Sequence, residues 1–320
     1  MKILINYLIL IILFLQASYT QDSKHLEISE KSWGDKFLKN TGFPKRVYIM
    51  DFTVSYQLLV NLIKPKSLKN KNSKAKQLLL GITSLDEIDL KQITDSLYNN
   101  FLNSLREKGY IPTSLDLVSE SNIWENYELI KGGVPQKTKY NGVVKYSPSH
   151  EKYYRRKERK LFDFISRSRA SNHPHEIAEE FNIAVARVHL IFSITDNSIL
   201  DFSNNSKKTK RDSKLKIITN LKLNKLSEID FKYPNSNFSF KLKDNLLINN
   251  VIENKEYGTV KRVNNTKKMN LGSLNFFSNH KDSYKNLQVI DCIPIDFQNE
   301  SIGATKLFFN EVLKSMNNKY

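Results

Sequence analysis

The sequence predicts an α/β fold: a mixed sheet with packed helices in the first half, an antiparallel β meander in the second half, and a helix at the C-terminal end. Three observations predict this arrangement. Residues 47–56 form an almost continuous apolar run rich in β-branched and aromatic residues, which is typical of a strand buried on both faces. Residues 84–109 have the pattern of a capped amphipathic helix. Short β-like runs separated by Asn, Pro and Lys clusters occupy residues 216–263.

Residues 1–20 have the pattern of a secretory signal peptide. Lys2 supplies the positive charge, residues 3–15 form the apolar core, and Ser18 and Thr20 are the small residues before the cleavage site. The apolar run is shorter than the roughly 20 residues that a membrane-spanning helix needs. We therefore expect a cleaved signal peptide and a secreted or periplasmic protein, with a retained N-terminal anchor as the alternative.

The rest of the chain is predicted to contain a polar lead-in at residues 21–43 and a single α/β domain at residues 44–320, with a subdivision near residue 200 left open. Cys292 is the only cysteine, so no intramolecular disulfide can form in spite of export. No cysteine lies near the cleavage site, so no lipid anchor is expected. Cys292 itself lies in an apolar run, where a thiol is usually inert packing.

The net charge of +17, or +16 once Lys2 is removed with the signal peptide, favours acidic partners. Lipid headgroups, acidic polysaccharide and nucleic acid all qualify, and export favours the first two. The alternative is that the lysines only solvate the surface, since the chain is rich in Lys, Asn and Ile together, as A/T-rich codon usage produces.

The clearest helix signal lies in the first half of the chain. Ser84 to Glu87 match a capping box with acidic residues in the first turn. Apolar residues then recur at steps of three and four along one stripe: Leu90, Ile93, Leu97, Phe101 and Leu105. Lys108 and Gly109 end the helix. The Lys-, Ser- and Asn-rich residues 64–77, which precede it, indicate an exposed loop.

A second amphipathic helix is expected to start near Ser119 and to end at Gly132 and Gly133. Its apolar side would consist of Ile123, Trp124, Tyr127 and Ile130. Residues 161–169 fit either a strand or a helix.

A short helix followed by a long strand is predicted next. Pro174 suits a first helical position, and the helix should end near Asn182. Residues 184–195 then predict a strand with one apolar face and one face that is only partly buried.

The C-terminal region predicts a strand at residues 287–295 and a final helix at residues 301–316. The inward positions of that helix would be Ile302, Leu307, Phe308, Val312 and Leu313.

The order of these elements resembles a known type of envelope protein. A buried strand at 46–52 precedes a helix at 84–110 that ends in Lys-Gly-Tyr, and a short acidic helix runs directly into a strand over residues 177–194. This layout, under half of the chain, resembles the α/β unit of curli-secretion-channel-like and TolB N-terminal-like proteins. It also resembles that of uncharacterised secreted proteins of Gram-negative envelopes. The resemblance implies a scaffold and transfers no catalytic residue. No lipidation cysteine and no long amphipathic hairpin are present, so pore formation is not predicted.

Residues 140–160 are the candidate anion-binding segment, because they interleave four tyrosines with a basic run. The basic residues are Arg155, Arg156, Lys157, Arg159 and Lys160. Aromatic side chains can stack on sugars or bases while cations hold anionic groups. A lysine-rich surface loop whose tyrosines pack on the body is the alternative.

Catalytic and metal-binding signals are weak. The sequence contains no GxSxG, Walker A, GxGxxG, HExxH or CxxC motif. His173 and His175, with His189 as a third candidate, do not form a converging ligand set, because Pro174 starts a helix. We therefore predict no metal site and no cofactor. Asp51, the acid of the first strand, is either a buried structural carboxylate or part of a pocket.

The sequence favours an exported non-enzymatic envelope protein, an α/β scaffold that binds another envelope protein or an anionic surface such as lipid headgroups or polysaccharide. The alternative is a secreted hydrolase that acts on an acidic polymer with acids such as Asp51, which would need a concave pocket with two carboxylates or a metal. A cell-surface nucleic-acid binder is the third and less favoured hypothesis, and homo-oligomerisation is left open.

Overall fold

The computed structural model describes residues 26–34, 43–64, 76–138, 142–156, 173–195, 216–258 and 287–318. The predicted signal peptide, the segment at 161–169 and most of the predicted loop at 64–77 lie outside these residues. Within them the fold is α/β, as predicted, with mixed sheets and three α-helices.

The strands fall into one large and two small sheets. They are β1 (Ile28–Trp33), β2 (Arg46–Gln57), β3 (Leu59–Lys64), β4 (Lys76–Ile82), β5 (Ile111–Thr113), β6 (Tyr127–Lys131), β7 (Gln136–Lys137), β8 (Val143–Tyr146), β9 (Lys152–Arg156), β10 (Ala184–Thr195), β11 (Lys216–Leu223), β12 (Glu228–Tyr233), β13 (Ser236–Leu242), β14 (Leu246–Ile248), β15 (Glu256–Gly258) and β16 (Leu287–Ile290). The helices are α1 (Glu87–Glu107), α2 (His173–Phe181) and α3 (Pro294–Asn317), with 3₁₀ turns at Leu115–Leu117 and Asn122–Asn126.

The main sheet has the strand order β1-β13-β12-β10-β2-β8-β7. The two longest strands, β2 and β10, are parallel neighbours at its centre, and β12, β13 and β1 continue the sheet antiparallel to one another. β11 pairs with β10, β14 and β15, so the antiparallel meander predicted for the second half is present. β16, β4 and β3 form a three-stranded sheet, and β6 pairs with β9.

One face of the main sheet is covered by α1 and α3. The predicted stripe of α1 is fully buried there, and Tyr56 of β2 bonds the hydroxyl of Thr94 at 2.9 Å. α1 and α3 pack against each other: Gln298 Nε2 in the second turn of α3 donates to Ser96 Oγ in the middle of α1 at 3.0 Å, and the hydroxyl of Tyr110, just after α1, donates to Asn317 at the end of α3. Burial of each large apolar side chain in this layer contributes about 1.5–3 kcal/mol.

The N-terminal cap of α1 differs from the prediction. Asp86, and not Ser84, is the N-cap: it accepts from the Asp89 N–H at 2.9 Å, and its own N–H donates to the Asp89 carboxylate at 2.9 Å. Leu85 before the cap and Leu90 after it are fully buried, as a hydrophobic staple requires. The burial of Leu85 therefore sets the start of the helix two residues later than predicted.

The prediction of an amphipathic helix from Ser119 is wrong. A 3₁₀ turn forms at Asn122–Asn126, and the chain then enters β6, which pairs with β9. Trp124 donates from its indole to the Val118 carbonyl at 2.6 Å and stacks on Tyr154 of β9 with ring centroids 4.0 Å apart. The apolar spacing that suggested a helix thus belongs to a turn and a strand.

The final helix begins at Pro294, seven residues before the predicted start, with Pro294 in its first turn. Phe308, Val312 and Leu313 are buried as predicted, but Leu307 is 54% exposed. The stripe that contains these buried residues also includes Phe297, Ser301, Ala304 and Thr305. Residue 307 therefore lies on the opposite side of the helix.

The strand predicted at residues 184–195 is confirmed as β10. Ala184, Ala186, Val188, Leu190, Phe192 and Ile194 lie in the main core. On the other face of β10, Arg187 and His189 are partly buried, as predicted, whereas Val185, Ile191 and Ser193 are buried. Part of that second face is covered by an apolar cluster built from Tyr48, Trp124, Ile177, Ala178 and Val185.

Among the described helices, none combines the length and the hydropathy that a bilayer-spanning segment needs.

Candidate functional site

The face of the main sheet opposite α1 and α3 carries polar side chains aligned across five strands. Residues directly opposite one another on neighbouring strands share a face, so the pairing registers define rows. The central row is Lys31, Ser239, Asp230, Arg187 and Asp51. The row on one side of it is Ser29, Lys241, Glu228, His189 and Thr53, and the row on the other side begins Trp33, Asn237 and Lys232. We call these residues, with Lys145 of β8, the polar face.

The alternation of buried and half-buried residues along β12 and β13 shows that this face is accessible to solvent. Along both strands, buried residues of the core alternate with half-buried residues of the polar face. On β1, Ser29, Lys31 and Trp33 are exposed, and the Trp33 side chain is 63% exposed. Within the described residues, the end near Tyr48 and Val185 is covered by the apolar cluster under α2, and Thr53, Ser55 and Ile191 towards the opposite end are also buried. The surface between β10 and β1 is therefore the open part of the polar face.

An irregularity in β2 brings Asp51 onto this face. The pairing with β10 shifts between Ala186 and Arg187: Ile49 lies opposite Ala186, whereas Asp51 lies opposite Arg187, so Met50 is an extra residue. Extra residues of this kind redirect the side chains that follow them. In a regular strand Asp51 would share the face of Ile49 and point into the helix-covered core.

Arg187 is the central cation of the polar face. Its Nη2 donates to Asp230 Oδ2 at 2.9 Å, and the Asp230 side chain is 13% exposed. Its Nε is buried and has no hydrogen-bond partner among the described residues. One donor of this guanidinium is therefore not satisfied within the described fold.

The carboxyl group of Asp51 has an unusual environment. Burial raises its pKa, and the positive charges of Lys145 and Arg187 oppose that rise. The charged form of Asp51 is thus penalised in the fold, and the two cations beside it compensate in part.

His189 and Glu228 lie opposite each other on β10 and β12, and the fold favours the neutral form of the first and the charged form of the second. Burial, with Lys145, lowers the pKa of His189 to about 4, while Glu228 opposes this shift. The neutral imidazole bonds Thr53 Oγ1 through Nδ1 at 2.7 Å. Burial opposes ionisation of Glu228, but hydrogen bonds from Ser239 and Lys241 lower its pKa overall. At neutral pH this row therefore holds a neutral imidazole beside a carboxylate that is already ion-paired.

The basic segment predicted from the sequence is described only in part. Arg155 and Arg156 occupy consecutive positions in β9, opposite Glu128 and Tyr127. Lys157, Arg159 and Lys160 lie outside the described residues. The described tyrosines of the segment are engaged within the fold: Tyr146 is buried, Tyr153 bonds Gln136 and Tyr154 stacks on Trp124.

The histidines considered as metal ligands have separate partners. His173 Nδ1 lies 2.5 Å from the Tyr127 hydroxyl, and His175 Nδ1 lies 3.2 Å from the Tyr233 carbonyl oxygen. Within the residues that the structure describes, no group of three or more His, Cys, Asp or Glu side chains could hold a metal ion. Cys292 is buried, and burial raises the pKa of its thiol to about 12, so the thiol stays protonated.

Two cavities in the described fold lie away from the polar face. The larger, about 560 Å³, is lined by Asn220 and residues 247–254, and the smaller, about 170 Å³, lies between the starts of α1 and α3. Each has one acidic side chain in its lining, Glu253 and Asp89 respectively. Neither has the pair of carboxylates that the hydrolase hypothesis requires.

Sequence reasoning found parts of the polar face but not the whole. The partly buried face of β10 already contained Arg187 and His189, and Asp51 stood out as an acid in an apolar strand. The alternation in Glu228–Tyr233, which marks β12, was the signal that was missed. The contribution of β1 has no comparable signal, because ISEKSW has no apolar period.

Comparisons with models of protein families, with curated proteins and with solved structures found no match to this chain.

Proposed function

We propose that this protein is an exported, non-enzymatic α/β scaffold whose polar face binds an anionic group of another envelope component, carried by a lipid headgroup or an acidic polysaccharide. The observation that carries the proposal is an excess of cations on the polar face, where five lysine and arginine side chains stand against three carboxylates. Lys31, Lys145 and Lys232 form no ion pair with another described residue. Arg187, between them, has a buried Nε without a partner.

The chemistry of these cations favours an anion over a neutral ligand. Hydrogen bonds between a cationic donor and an anionic acceptor are about twice as strong as those between neutral groups. Burial lowers the pKa of Lys232, with Asp230 opposing and Arg187 adding to the shift. A bound anion would relieve the mutual repulsion of Lys232 and Arg187.

The surroundings of the polar face support the same ligand class. Trp33 is largely exposed at its edge, and indole rings are favoured where a polar headgroup region meets an apolar one. The high net positive charge of the chain and its predicted signal peptide agree with an anionic partner outside the cytoplasm.

The non-enzymatic part of the proposal is supported by the acids. Asp230 is paired with Arg187, and Glu228 with Lys241, so both carboxylates already have cationic partners. Asp51 is partly buried on β2, and neither of the two cavities described above lies around it.

Binding of residues 21–320 to defined anionic probes tests the proposal. The probes are vesicles with and without an anionic phospholipid, and a soluble polyuronic acid, each at low and moderate salt. The Lys31→Gln/Lys232→Gln variant should bind the preferred probe at least about tenfold more weakly, because a lysine near an anionic surface contributes about 1 kcal/mol. The matched control is Lys91→Gln/Lys306→Gln, which has the same net charge and alters exposed positions on α1 and α3.

Equal weakening in both variants would mean that only net charge matters and would overturn the assignment to the polar face. Absence of binding to every probe at low salt would overturn the proposal as a whole. Shortening of the polyuronic acid during incubation would contradict the non-enzymatic part and would favour the hydrolase alternative.

A further inference from the structure

The larger cavity has no role in the function proposed above, and its walls differ chemically from the polar face. It is lined by residues 247–254, which run from β14 through the turn before β15, and by Asn220 of β11. Its volume of about 560 Å³ lies within the range of small-molecule sites, about 300–1,000 Å³.

The turn that lines this cavity is held rigidly. Val251 and Ile252 are buried in the main core, and Ile252 pairs with Cys292 in an isolated bridge. Thr219 Oγ1 donates to the Glu253 carbonyl at 2.8 Å, and the Thr219 N–H donates to the Lys255 carbonyl at 3.1 Å. A ligand would therefore meet a preformed surface, and little ordering entropy would be lost on binding.

The side chains at the rim are polar, exposed and mostly amides. Asn249, Asn250 and Asn254 are exposed, and Asn250 has a left-handed backbone with φ 64°. Each amide offers both a carbonyl acceptor and an NH₂ donor. Leu247, 47% exposed, adds an apolar surface beside them.

The charge of the lining excludes the ligand class of the polar face. The lining contains no Lys or Arg, and its one ionisable side chain is Glu253, whose Oε2 lies 3.5 Å from the Lys255 ammonium. Among the lining residues themselves, an anion would meet a carboxylate and no Lys or Arg side chain. A neutral ligand with many hydroxyl groups matches the paired donors and acceptors of the amides, and its C–H faces match Leu247.

We infer that this cavity is a binding site for a neutral saccharide, separate from the polar face. The asparagine amides and the Glu253 carboxylate bond adjacent hydroxyl groups, and Leu247 packs against the sugar ring.

Titration with four neutral tetrasaccharides tests the inference: cellotetraose, chitotetraose, maltotetraose and mannotetraose. Saturation-transfer NMR and calorimetry should detect at least one of them with a Kd of about 1 mM or lower. The Asn249→Ala/Asn254→Ala variant should weaken that binding at least about tenfold, because it removes two of the amides that bond the sugar hydroxyl groups. Asn99→Ala/Asn299→Ala, at exposed positions on α1 and α3, is the matched control and should bind as the unmodified protein does.

Absence of binding by all four sugars at that concentration overturns the inference. Undiminished binding by the Asn249→Ala/Asn254→Ala variant also overturns it, because the sugar would then lie elsewhere. If that variant unfolds more readily than the control, Leu247→Ala provides the second test and should also weaken binding. The Lys31→Gln/Lys232→Gln variant should bind the sugar normally, so failure of the saccharide site and failure of the polar-face proposal can be told apart.

Discussion

Asp51 has the most consequential single position in the structure, since one extra residue in β2 moves it from the core to the polar face. Burial raises the pKa of its carboxyl group. A carboxyl group whose pKa is higher in the folded state than in the unfolded state favours folding only while it is protonated. As pH rises through the folded-state pKa, that contribution is lost and the buried charge becomes a cost.

Asp51→Asn should therefore increase the free energy of unfolding at neutral pH. The gain should disappear below the unfolded carboxyl pKa of about 3.9, where both forms are neutral. Urea unfolding of the two proteins at neutral and acidic pH measures the difference. A loss of stability in Asp51→Asn at neutral pH would show that Lys145 and Arg187 stabilise the charged form by more than its burial costs.

At the scale of single elements, the strongest test of local structure is the start of α1. Asp86→Ala removes the side-chain acceptor of the Asp89 N–H, which is one half of the capping box, and should destabilise the protein by about 1 kcal/mol. Ser84→Ala, two residues earlier at an exposed position, is the matched control and should change the unfolding free energy little. The reverse order of the two effects, measured by urea unfolding, would mean that the helix begins at Ser84.

Elements with a long, regular pattern could be predicted from the sequence. β10 and the buried stripe of α1 follow from period alone, because each alternates or repeats over ten or more residues. The segment from Ser119 could not be predicted in this way. Its apolar spacing fits a helix, but β9, more than twenty residues later, provides strand partners for Tyr127–Lys131. Pairing with a distant strand overrides local periodicity here.

For the whole molecule, the polar face is a product of long-range pairing. Its central row joins residues from Lys31 to Ser239, and the contact between β2 and β10 spans more than a hundred residues of chain. A sequence reveals charged residues along each strand but not the register that aligns them. For that reason the sequence pointed to the contiguous basic run at residues 155–160, whereas the structure draws attention to cations that are far apart along the chain.

Lysine footprinting measures directly whether an anionic partner binds the polar face. Acetylation of residues 21–320 is measured residue by residue with mass spectrometry, with and without the preferred anionic probe. The probe should protect Lys31, Lys145, Lys232 and Lys241, while Lys91 and Lys306 on the helices react as before. Protection confined to Lys157 and Lys160, with unchanged reaction of the polar-face lysines, would contradict this prediction and would assign binding to the basic segment.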